Sequence, residues 1–331
     1  MNKILVTGGL GFIGSNLVEC LLDSYEDLSV INVDCLTYAA DPNNISEKHW
    51  TSGRHFFYKE NICNYHDIKE IIEVHKPDAI IHLAAESHVD RSLENPTEFI
   101  ETNVLGTASL LEAVRANQGV LSDRFRFVHI STDEVYGDLR EDDPPFNENS
   151  HYRPSSPYSA SKASSDHIVL SYWRTYKIPT IVTHCSNNYG PRQYPEKLIP
   201  LVIKNAIECK EIPVYGDGRQ IRDWIYVLDH VKAIDTVLWR GIPGESYCIG
   251  GQNEMRNIDL VETLCSIADT LLERELGETR RLITHVEDRK GHDYRYAIDP
   301  SKTKELGWAP SSNFEENLKN TFRWYLEKHG R

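Results

Sequence analysis

Two adjacent carboxylic acids, Asp133 and Glu134, stand two residues after the apolar run Phe127–Ile130, with Ser131 and Thr132 between them. The apolar run predicts a buried strand, and two carboxylates at its end are costly to bury unless they take part in chemistry. A pair of acids in one site can divide the roles of proton donor and proton acceptor. These residue types therefore indicate acid–base elimination, whereas the competing interpretation is a solvated loop or a cap for the next turn.

The position of the strand end decides whether both acids can act on one substrate. Successive side chains of a strand point to opposite faces, which would separate Asp133 from Glu134. Both can reach one substrate only if the strand ends at Thr132. Such an end is expected at the carboxyl edge of an open α/β sheet, where ligands bind.

A second reactive pair, Tyr158 and Lys162, lies about two dozen residues later. On a helix the phenol and the ammonium group lie one turn apart on the same face. A cation about 4 Å away at an effective dielectric constant of about 20 contributes about 4 kcal/mol, or about three pKa units. We therefore expect Lys162 to lower the pKa of Tyr158 from about 10 to near neutrality, although the same spacing also occurs in surface pairs.

The N-terminal segment carries a nucleotide-binding pattern. Gly8, Gly11 and Gly14 lie between a predicted first strand and first helix, where a pyrophosphate must approach the helix N-terminus without obstruction by a Cβ atom. Asp34 ends the second predicted strand, 20 positions after Gly14, where a carboxylate can bind both ribose hydroxyls. The carboxylate favours NAD over NADP, because it would repel a 2′-phosphate.

Composition excludes several classes of protein. The chain has 331 residues, 40% hydrophobic and 26% charged, with a formal charge of −14 that argues against nucleic acid as a general partner. No apolar stretch reaches the roughly 18 residues of a membrane span, and the start shows no signal peptide. Seven scattered cysteines without metal-type spacing indicate reduced thiols, a cytoplasmic protein and no metal site.

Strand-like and helix-like segments alternate through the first half of the chain. This pattern predicts an α/β protein with a Rossmann-like, doubly wound parallel sheet and a smaller C-terminal mixed α/β substrate lobe. We assign residues 1–190 to the NAD-binding domain, with part of 223–250 returning to it, and 191–331 mainly to the smaller lobe, which the resemblance described below implies to be the nucleotide-sugar-binding lobe. The predicted strands are Lys3–Thr7, Ser29–Val33, His55–Tyr58, Ala79–Leu83, Arg126–Ser131 and Thr180–Cys185; the predicted helices are Phe12–Leu22, His66–His75, Thr97–Ala116, Ser159–Lys177 and Phe314–Lys328.

Nearly the whole chain resembles the extended short-chain dehydrogenase/reductase superfamily and, within it, the nucleotide-sugar 4,6-dehydratases. The glycine turn and the Tyr/Lys pair are shared by many members, whereas the Thr132–Glu134 triplet is specific, since epimerases of this fold usually lack the carboxylate pair. The motifs are Thr7–Gly14, Leu83–Ser92, Ser131–Gly137, Pro157–Ala163, Cys185–Pro191, Pro195–Pro200, Tyr215–Gly218, Ile221–Trp224 and Gly291–Asp293.

The resemblance implies a three-step reaction on dTDP-glucose. Tyr158 takes the proton of the 4-hydroxyl while hydride leaves C4 for NAD, and Thr132 hydrogen-bonds at the same oxygen. Glu134 then removes the C5 proton while Asp133 protonates the departing 6-hydroxyl. Hydride returns to C6 and a proton to C5, so the product is the 4-keto-6-deoxy sugar and NAD is regenerated.

The resemblance also implies the binding residues and a homodimer. The cofactor contacts would be Gly8, Gly11, Phe12, Ile13, Gly14, Asp34, Leu36, Thr37, Asn61, Ile62, Leu83, Ala84, Ala85, Ser87, Thr102, Tyr158, Lys162 and Asn188. The sugar nucleotide would contact Ser87, Thr132, Asn187, Lys197, Leu198, Pro213, Tyr215, Arg222, Asn257, Arg289 and His292. Arg222 and Arg289 suit a pyrophosphate because guanidinium groups bind phosphate oxygens bidentately, although each could equally form a structural ion pair.

Several positions depart from the family pattern. Asn61 replaces a common aspartate, and its amide can still accept a hydrogen bond from adenine. His184, Arg192, Gln193 and Tyr294 also differ from the usual residues. UDP-glucose or another NDP-hexose therefore stays open as substrate. Two further hypotheses are an NDP-sugar 4-epimerase and a catalytically silent NAD-binding protein, and both leave the Asp133–Glu134 pair unexplained.

Overall fold

A seven-stranded, wholly parallel sheet organises the protein, and the computed structural model describes residues 1–289 and 291–329. The sheet order is β10-β6-β5-β4-β1-β2-β3, and two smaller sheets have the orders β11-β9-β7 and β12-β8. The strands are β1 Lys3–Thr7, β2 Ser29–Val33, β3 His55–Tyr58, β4 Ala79–His82, β5 Arg126–Thr132, β6 Thr180–Cys185, β7 Asn187–Tyr189, β8 Ile212–Tyr215, β9 Ile221–Tyr226, β10 Ser246–Ile249, β11 Glu254–Arg256 and β12 Ile283–Val286.

Helices cover both faces of the large sheet. The α-helices of the described residues are α1 Phe12–Ser24, α2 Glu47–Trp50, α3 Tyr65–His75, α4 Val89–Glu94, α5 Pro96–Phe99, α6 Thr107–Ala116, α7 Pro157–Tyr176, α8 Leu198–Ile207, α9 Val227–Arg240, α10 Asn257–Leu271, α11 Ser301–Glu305 and α12 Phe314–His329. Short 3₁₀ helices occupy Pro42–Asn44, Asp133–Tyr136 and Thr279–Leu282. None of the helices in the described ranges has the length and apolar character needed to cross a membrane.

Alternation along the strands builds two cores. In β1, Ile4 and Val6 pack in one core with α1 and α9, whereas Leu5 points to the opposite core with α3, α6 and α7. All three side chains are fully buried, as expected for a parallel sheet covered on both faces. The predicted α/β fold class and the first six predicted strands are confirmed, with two strand ends shifted by one residue.

The predicted helix over Thr97–Ala116 is confirmed as a continuous helical stretch, but it is not one regular α-helix and divides into three segments. Pro96–Phe99 is α-helical, Ile100–Gly106 is π-helical and α6 follows. Within the π-helical segment Asn103 donates a hydrogen bond to Ser161 Oγ (2.8 Å) and to the Glu86 carbonyl oxygen (3.0 Å). Insertions of this kind in a helix frequently occur at functional sites, and the apolar periodicity does not register them.

The C-terminal half contributes to two cores. Strand β10 pairs with β6 in the large sheet, and α9 packs against α1. A separate core is formed between α8, α10 and α12, with Ile203, Leu264 and Phe322 at its centre. The segment that connects β7 to α8 therefore lies between the large sheet and this second core.

Candidate active site

A cavity of about 500 Å³ lies at the carboxyl ends of β1, β2, β4, β5 and β6. The carboxyl edge of a parallel sheet is the expected ligand site in an open α/β fold. Its walls include the glycine turn, the ends of the strands, one face of α7 and the segment after β7. The cavity therefore joins most of the predicted cofactor residues with Thr132, Glu134, Tyr158 and Lys162 in one continuous space.

The glycine turn leaves no room for a side chain at Gly8 or Gly14. Gly8 has φ +71°, and a Cβ atom on Gly14 would lie 2.1 Å from the Gly8 carbonyl oxygen. Gly11 precedes α1 without a side-chain cap, so the first amides of the helix lack a side-chain acceptor at this end. A helix N-terminus beside a cavity is suited to an anionic group such as a pyrophosphate.

Asp34 lies buried at the carboxyl end of β2. Its Oδ2 accepts a hydrogen bond from the Leu10 amide (3.0 Å) and its Oδ1 from the Leu36 amide (2.8 Å). Burial raises the pKa of this carboxyl above its usual range, against the lowering effect of the two amides. Each oxygen keeps acceptor capacity for a further donor, such as a ribose hydroxyl.

Strand β5 ends at Thr132, one residue after the end of the predicted strand and at the position that lets both acids act on one substrate. The Thr132 hydroxyl accepts a hydrogen bond from the Glu134 amide (3.3 Å) and caps the 3₁₀ helix that begins at Asp133. The two acids therefore leave the strand before alternation can send them to opposite faces. The helical turn brings Asp133 and Glu134 close enough for their charges to interact strongly.

The two acids differ in their electrostatic surroundings. Burial, followed by the charges of Glu134 and Asp223, raises the pKa of Asp133 well above its usual range. Asp133 Oδ2 has no hydrogen-bond partner among the described residues. Burial also raises the pKa of Glu134, but Lys197 and Arg222 oppose that shift. The surroundings thus favour a protonated Asp133 beside a Glu134 that ionises more readily.

The expectation that Lys162 brings the pKa of Tyr158 near neutrality is wrong in this structure. The Lys162 ammonium donates to the Ile130 carbonyl oxygen (2.8 Å), and burial lowers its pKa to about 8. Burial and the charge of Glu134 raise the pKa of Tyr158 well above its usual value, with a hydrogen bond to Thr132 acting in the opposite direction. The expectation from sequence included one cation and left out the loss of water and the two nearby carboxyls.

Cationic side chains from the C-terminal part of the chain act on Glu134, and aromatic rings lie beside two of them. The Arg289 guanidinium pairs with Asp90, with Nε 2.5 Å from Oδ1, and lies 5.3 Å from the centre of the Tyr215 ring. Arg222 is buried over the Tyr296 ring at 4.2 Å. Both guanidinium groups and Lys197 lower the pKa of Glu134, so this positive cluster faces the acid pair.

The residues predicted from the sequence fall into two groups, those that line the cavity and those that lie outside its lining. All predicted cofactor residues except Leu36 line the cavity, together with Thr132, Glu134, Asn187 and Lys197. Leu36 instead supplies the amide that binds Asp34, and Asp133 lies buried behind the cavity wall. The remaining predicted substrate residues lie outside the lining of this cavity: Leu198, Pro213, Tyr215, Arg222, Asn257, Arg289 and His292.

Sequence reasoning missed some polar residues of the site. Glu86 is buried in the cavity wall between two predicted contacts, and its amide donates to Asn103 Oδ1 (2.9 Å). Cys185 ends β6 in the same wall. Asn103 could have been found from the sequence, because it is a polar residue inside an apolar helix pattern. For Glu86 the sequence offered no signal apart from its position within a motif.

Fold and site together define a dinucleotide-binding enzyme of the extended short-chain dehydrogenase/reductase superfamily. The family model described as GDP-mannose 4,6 dehydratase matches residues 5–321. The chain belongs to this family of 4,6-dehydratases.

Characterised relatives share the full length of the chain. A dTDP-glucose 4,6-dehydratase of Escherichia coli is 54% identical, over 98% of this chain and 93% of the relative. The crystal structure of a dTDP-glucose 4,6-dehydratase from Bacillus anthracis in complex with NAD has a TM-score of 0.87 and 44% identity, covering 100% of this chain and 98% of that one. DesIV, the dTDP-glucose 4,6-dehydratase of Streptomyces venezuelae, solved with NAD and TYD bound, has a TM-score of 0.89 and 41% identity, covering 99% and 98%.

Proposed function

We propose that this protein is an NAD-dependent enzyme that converts dTDP-glucose into dTDP-4-keto-6-deoxyglucose with loss of water. The observation that carries the proposal is the pair of buried Asp133 and partly buried Glu134, beside Tyr158 and Lys162 at the carboxyl edge of the sheet. An enzyme that only oxidised the sugar or inverted C4 would have no use for two adjacent acids at this position.

The residues present fit NAD. The glycine turn admits a pyrophosphate at the start of α1, and buried Asp34 offers two carboxylate oxygens for a ribose that lacks a 2′-phosphate. The chemistry that NAD supplies when bound is reversible hydride acceptance, first from C4 and finally to C6 of the sugar.

Tyr158 and Lys162 handle the proton of the first step. The Tyr158 oxygen receives the proton of the 4-hydroxyl, and Thr132, which hydrogen-bonds to Tyr158, holds the same sugar oxygen. A base must first be deprotonated, and the raised pKa of the buried phenol opposes this. The positive charge of Lys162 in the same wall favours the phenolate.

The acid pair carries out the elimination. The ketone at C4 acidifies the C5 proton, which Glu134 takes while protonated Asp133 gives its proton to the departing 6-hydroxyl. Glu134 later returns a proton to C5. Each cycle leaves Tyr158 with one proton more and Asp133 with one fewer, so the two residues must be reset by proton transfer between cycles.

The cationic cluster suits the diphosphate of the sugar nucleotide. The charges of Arg222, Arg289 and Lys197 all act on Glu134, and the rings of Tyr215 and His292 are neighbours with centres 6.3 Å apart. Guanidinium groups bind phosphate oxygens bidentately. We assign the smaller lobe, mainly residues 191–331, to the nucleotide part of the substrate.

The test is product analysis after incubation with dTDP-glucose, and with UDP-glucose in parallel, in deuterated water. Loss of one water with one deuterium gained at C5 is the expected result, faster with dTDP-glucose. A product of unchanged mass with altered C4 stereochemistry would replace the dehydratase with an epimerase. Faster turnover of UDP-glucose would leave the proposed reaction in place and change only the nucleotide base of the proposed substrate.

Assembly and location are further parts of the proposal. We infer a homodimer, because the π-helical segment and α7 expose the apolar side chains of Ile100 (51%), Leu105 (58%) and Tyr176 (42%). Exposed apolar groups on these helices are suited to burial against a second copy. All seven cysteines are free, which supports a reducing compartment such as the cytoplasm.

A further inference from the structure

A buried polar cluster lies behind the catalytic wall, and the reaction described above does not use it. Its centre is Asp166, which is fully buried on α7 one turn after Lys162. An isolated buried carboxylate is very costly, so its surroundings must favour the charged form.

Four side chains surround this carboxylate. Asp166 Oδ2 accepts hydrogen bonds from Ser131 Oγ (2.9 Å) and Tyr152 OH (3.1 Å) and lies 3.2 Å from His184 Nε2. Oδ1 lies 3.2 Å from His129 Nε2. Despite burial, the contacts with His129 and His184 hold the pKa of Asp166 far below its usual range. The cluster therefore contains a permanent negative charge.

The ammonium group of Lys162 is the cation nearest to this charge in the catalytic wall. Lys162 Nζ lies 3.5 Å from His129 Nε2, the same ring atom that faces Asp166. Two other titratable groups interact electrostatically with Lys162, and these are His82 from β4 and Cys185 from β6. Burial lowers the pKa of His129 to about 4 and also holds the pKa of His82 well below its usual value, so both rings are neutral at neutral pH.

We propose that Asp166 is a positioning residue: acting across the neutral His129 ring, it keeps the Lys162 ammonium charged inside the protein. The inference deepens the proposed function, because it explains how the catalytic cation survives burial. His129 also separates the two charges, since a direct ion pair would draw Lys162 away from the Ile130 carbonyl and the cavity.

Electrostatics gives the direction of the effect. Burial lowers the pKa of Lys162 to about 8, and the charge of Asp166 is the largest influence that raises it. Replacing Asp166 by asparagine keeps the size of the side chain and removes the charge. The pKa of Lys162 should then fall by about one unit or more, which would leave it mostly uncharged at pH 8.

The experiment compares Asp166→Asn with the unchanged protein by competitive acetylation. The amine of Lys162 is labelled with acetic anhydride across a range of pH, and mass spectrometry of its peptide gives the pKa. We expect the midpoint to move down by about one pH unit or more in Asp166→Asn, and the alkaline limb of turnover to move with it. An unchanged midpoint in folded Asp166→Asn protein would overturn the proposal.

Tyr152→Phe is the matched control, because it removes one hydrogen bond to the carboxylate and keeps the charge. It should leave the Lys162 midpoint within a few tenths of a unit of the unchanged protein; a shift as large as that of Asp166→Asn would overturn the assignment to charge. Labelling needs no substrate, so it remains informative even if product analysis disproves the dehydration of dTDP-glucose.

A double variant covers the case in which Asp166→Asn does not fold. If Asp166→Asn fails to fold because the charge of Lys162 is left uncompensated, then Asp166→Asn combined with Lys162→Met should restore folding, measured by circular dichroism. Equal failure of the single and double variants would mean that Asp166 serves the packing of its own cluster and not Lys162.

Discussion

The two members of the acid pair, Asp133 and Glu134, take different roles because each one faces different charges. Glu134 faces Lys197, Arg222 and Arg289, whereas the charges that act most strongly on Asp133 are Glu134 and Asp223. Burial, together with these like charges, keeps Asp133 protonated, and the cations help Glu134 to ionise. One buried turn thereby holds an acid and a base made from nearly identical groups.

Substitution of Glu134 by glutamine should stop the reaction after its first step. Without a base for the C5 proton, hydride stays on the cofactor, and we expect reduced NAD to accumulate with dTDP-glucose while dehydration falls about a hundred- to ten-thousand-fold. Absorbance of the reduced cofactor in a single turnover measures this. The matched control is Tyr158→Phe, which should form no reduced cofactor; accumulation there would contradict the assignment of the first proton to Tyr158.

The pH dependence of elimination should reflect the raised pKa of Glu134. A base with a raised pKa becomes protonated at a higher pH, so activity is present above that pKa and is lost as the pH falls through it. We expect the acidic limb of the dehydration rate to lie above about 4.3, the ordinary value for glutamate. Lys197→Met should move the limb to still higher pH, since Lys197 lowers this pKa. A limb that stays in place would remove Glu134 from the rate-limiting step.

The residue scale also shows where sequence reasoning succeeds and fails. The strand end at Thr132 was predictable, because only that end lets two consecutive acids share a cleft. The pKa of Tyr158 was not, since it depends on burial and on carboxyls that arrive from another segment. Asp166 lies four residues after Lys162 on the same helix, but nothing in the sequence says that His129 stands between them.

At the scale of elements, the turn between β1 and α1 depends on the absence of side chains. A Cβ atom on Gly14 would lie 2.1 Å from the Gly8 carbonyl oxygen, whereas one on Gly11 would lie 3.4 Å from the same atom. Gly14→Ala should therefore destabilise the protein by about 1–3 kcal/mol, as overpacking does. Thermal unfolding is the measurement.

Gly11→Ala is the control for this turn. Its Cβ atom fits the backbone but lines the cavity, so the protein should keep its unfolding temperature and bind NAD more weakly in calorimetry. Equal stability of the two alanine variants would contradict the close approach of the backbone at Gly14.

Most elements of the large sheet were predictable, whereas the division of the helix after Pro96 was not. Buried strands appear as continuous apolar runs because helices cover both faces of the sheet. The π-helical segment keeps an apolar pattern close to that of an ordinary helix, and its cause is tertiary: Asn103 reaches both Ser161 and the Glu86 backbone.

For the whole molecule, the exposed apolar side chains of the π-helical segment and α7 predict the assembly. Leu105→Arg places a charge among them and should convert a dimer into a monomer, as seen by analytical ultracentrifugation. Val74→Arg is the control, because Val74 is an equally exposed apolar residue on α3. Monomeric unchanged protein, or dissociation by both variants, would disprove this interface.

The place of β10 in the large sheet has a consequence for synthesis on the ribosome. Residues 246–249 pair with β6, and α9 covers the sheet beside α1, yet both emerge only after α8 of the second core. A nascent chain of 190 residues would thus expose the edge of β6 and an uncovered apolar face. Domains usually fold as they emerge, but here the cofactor half must wait for the sugar half, and released fragments of that length should aggregate.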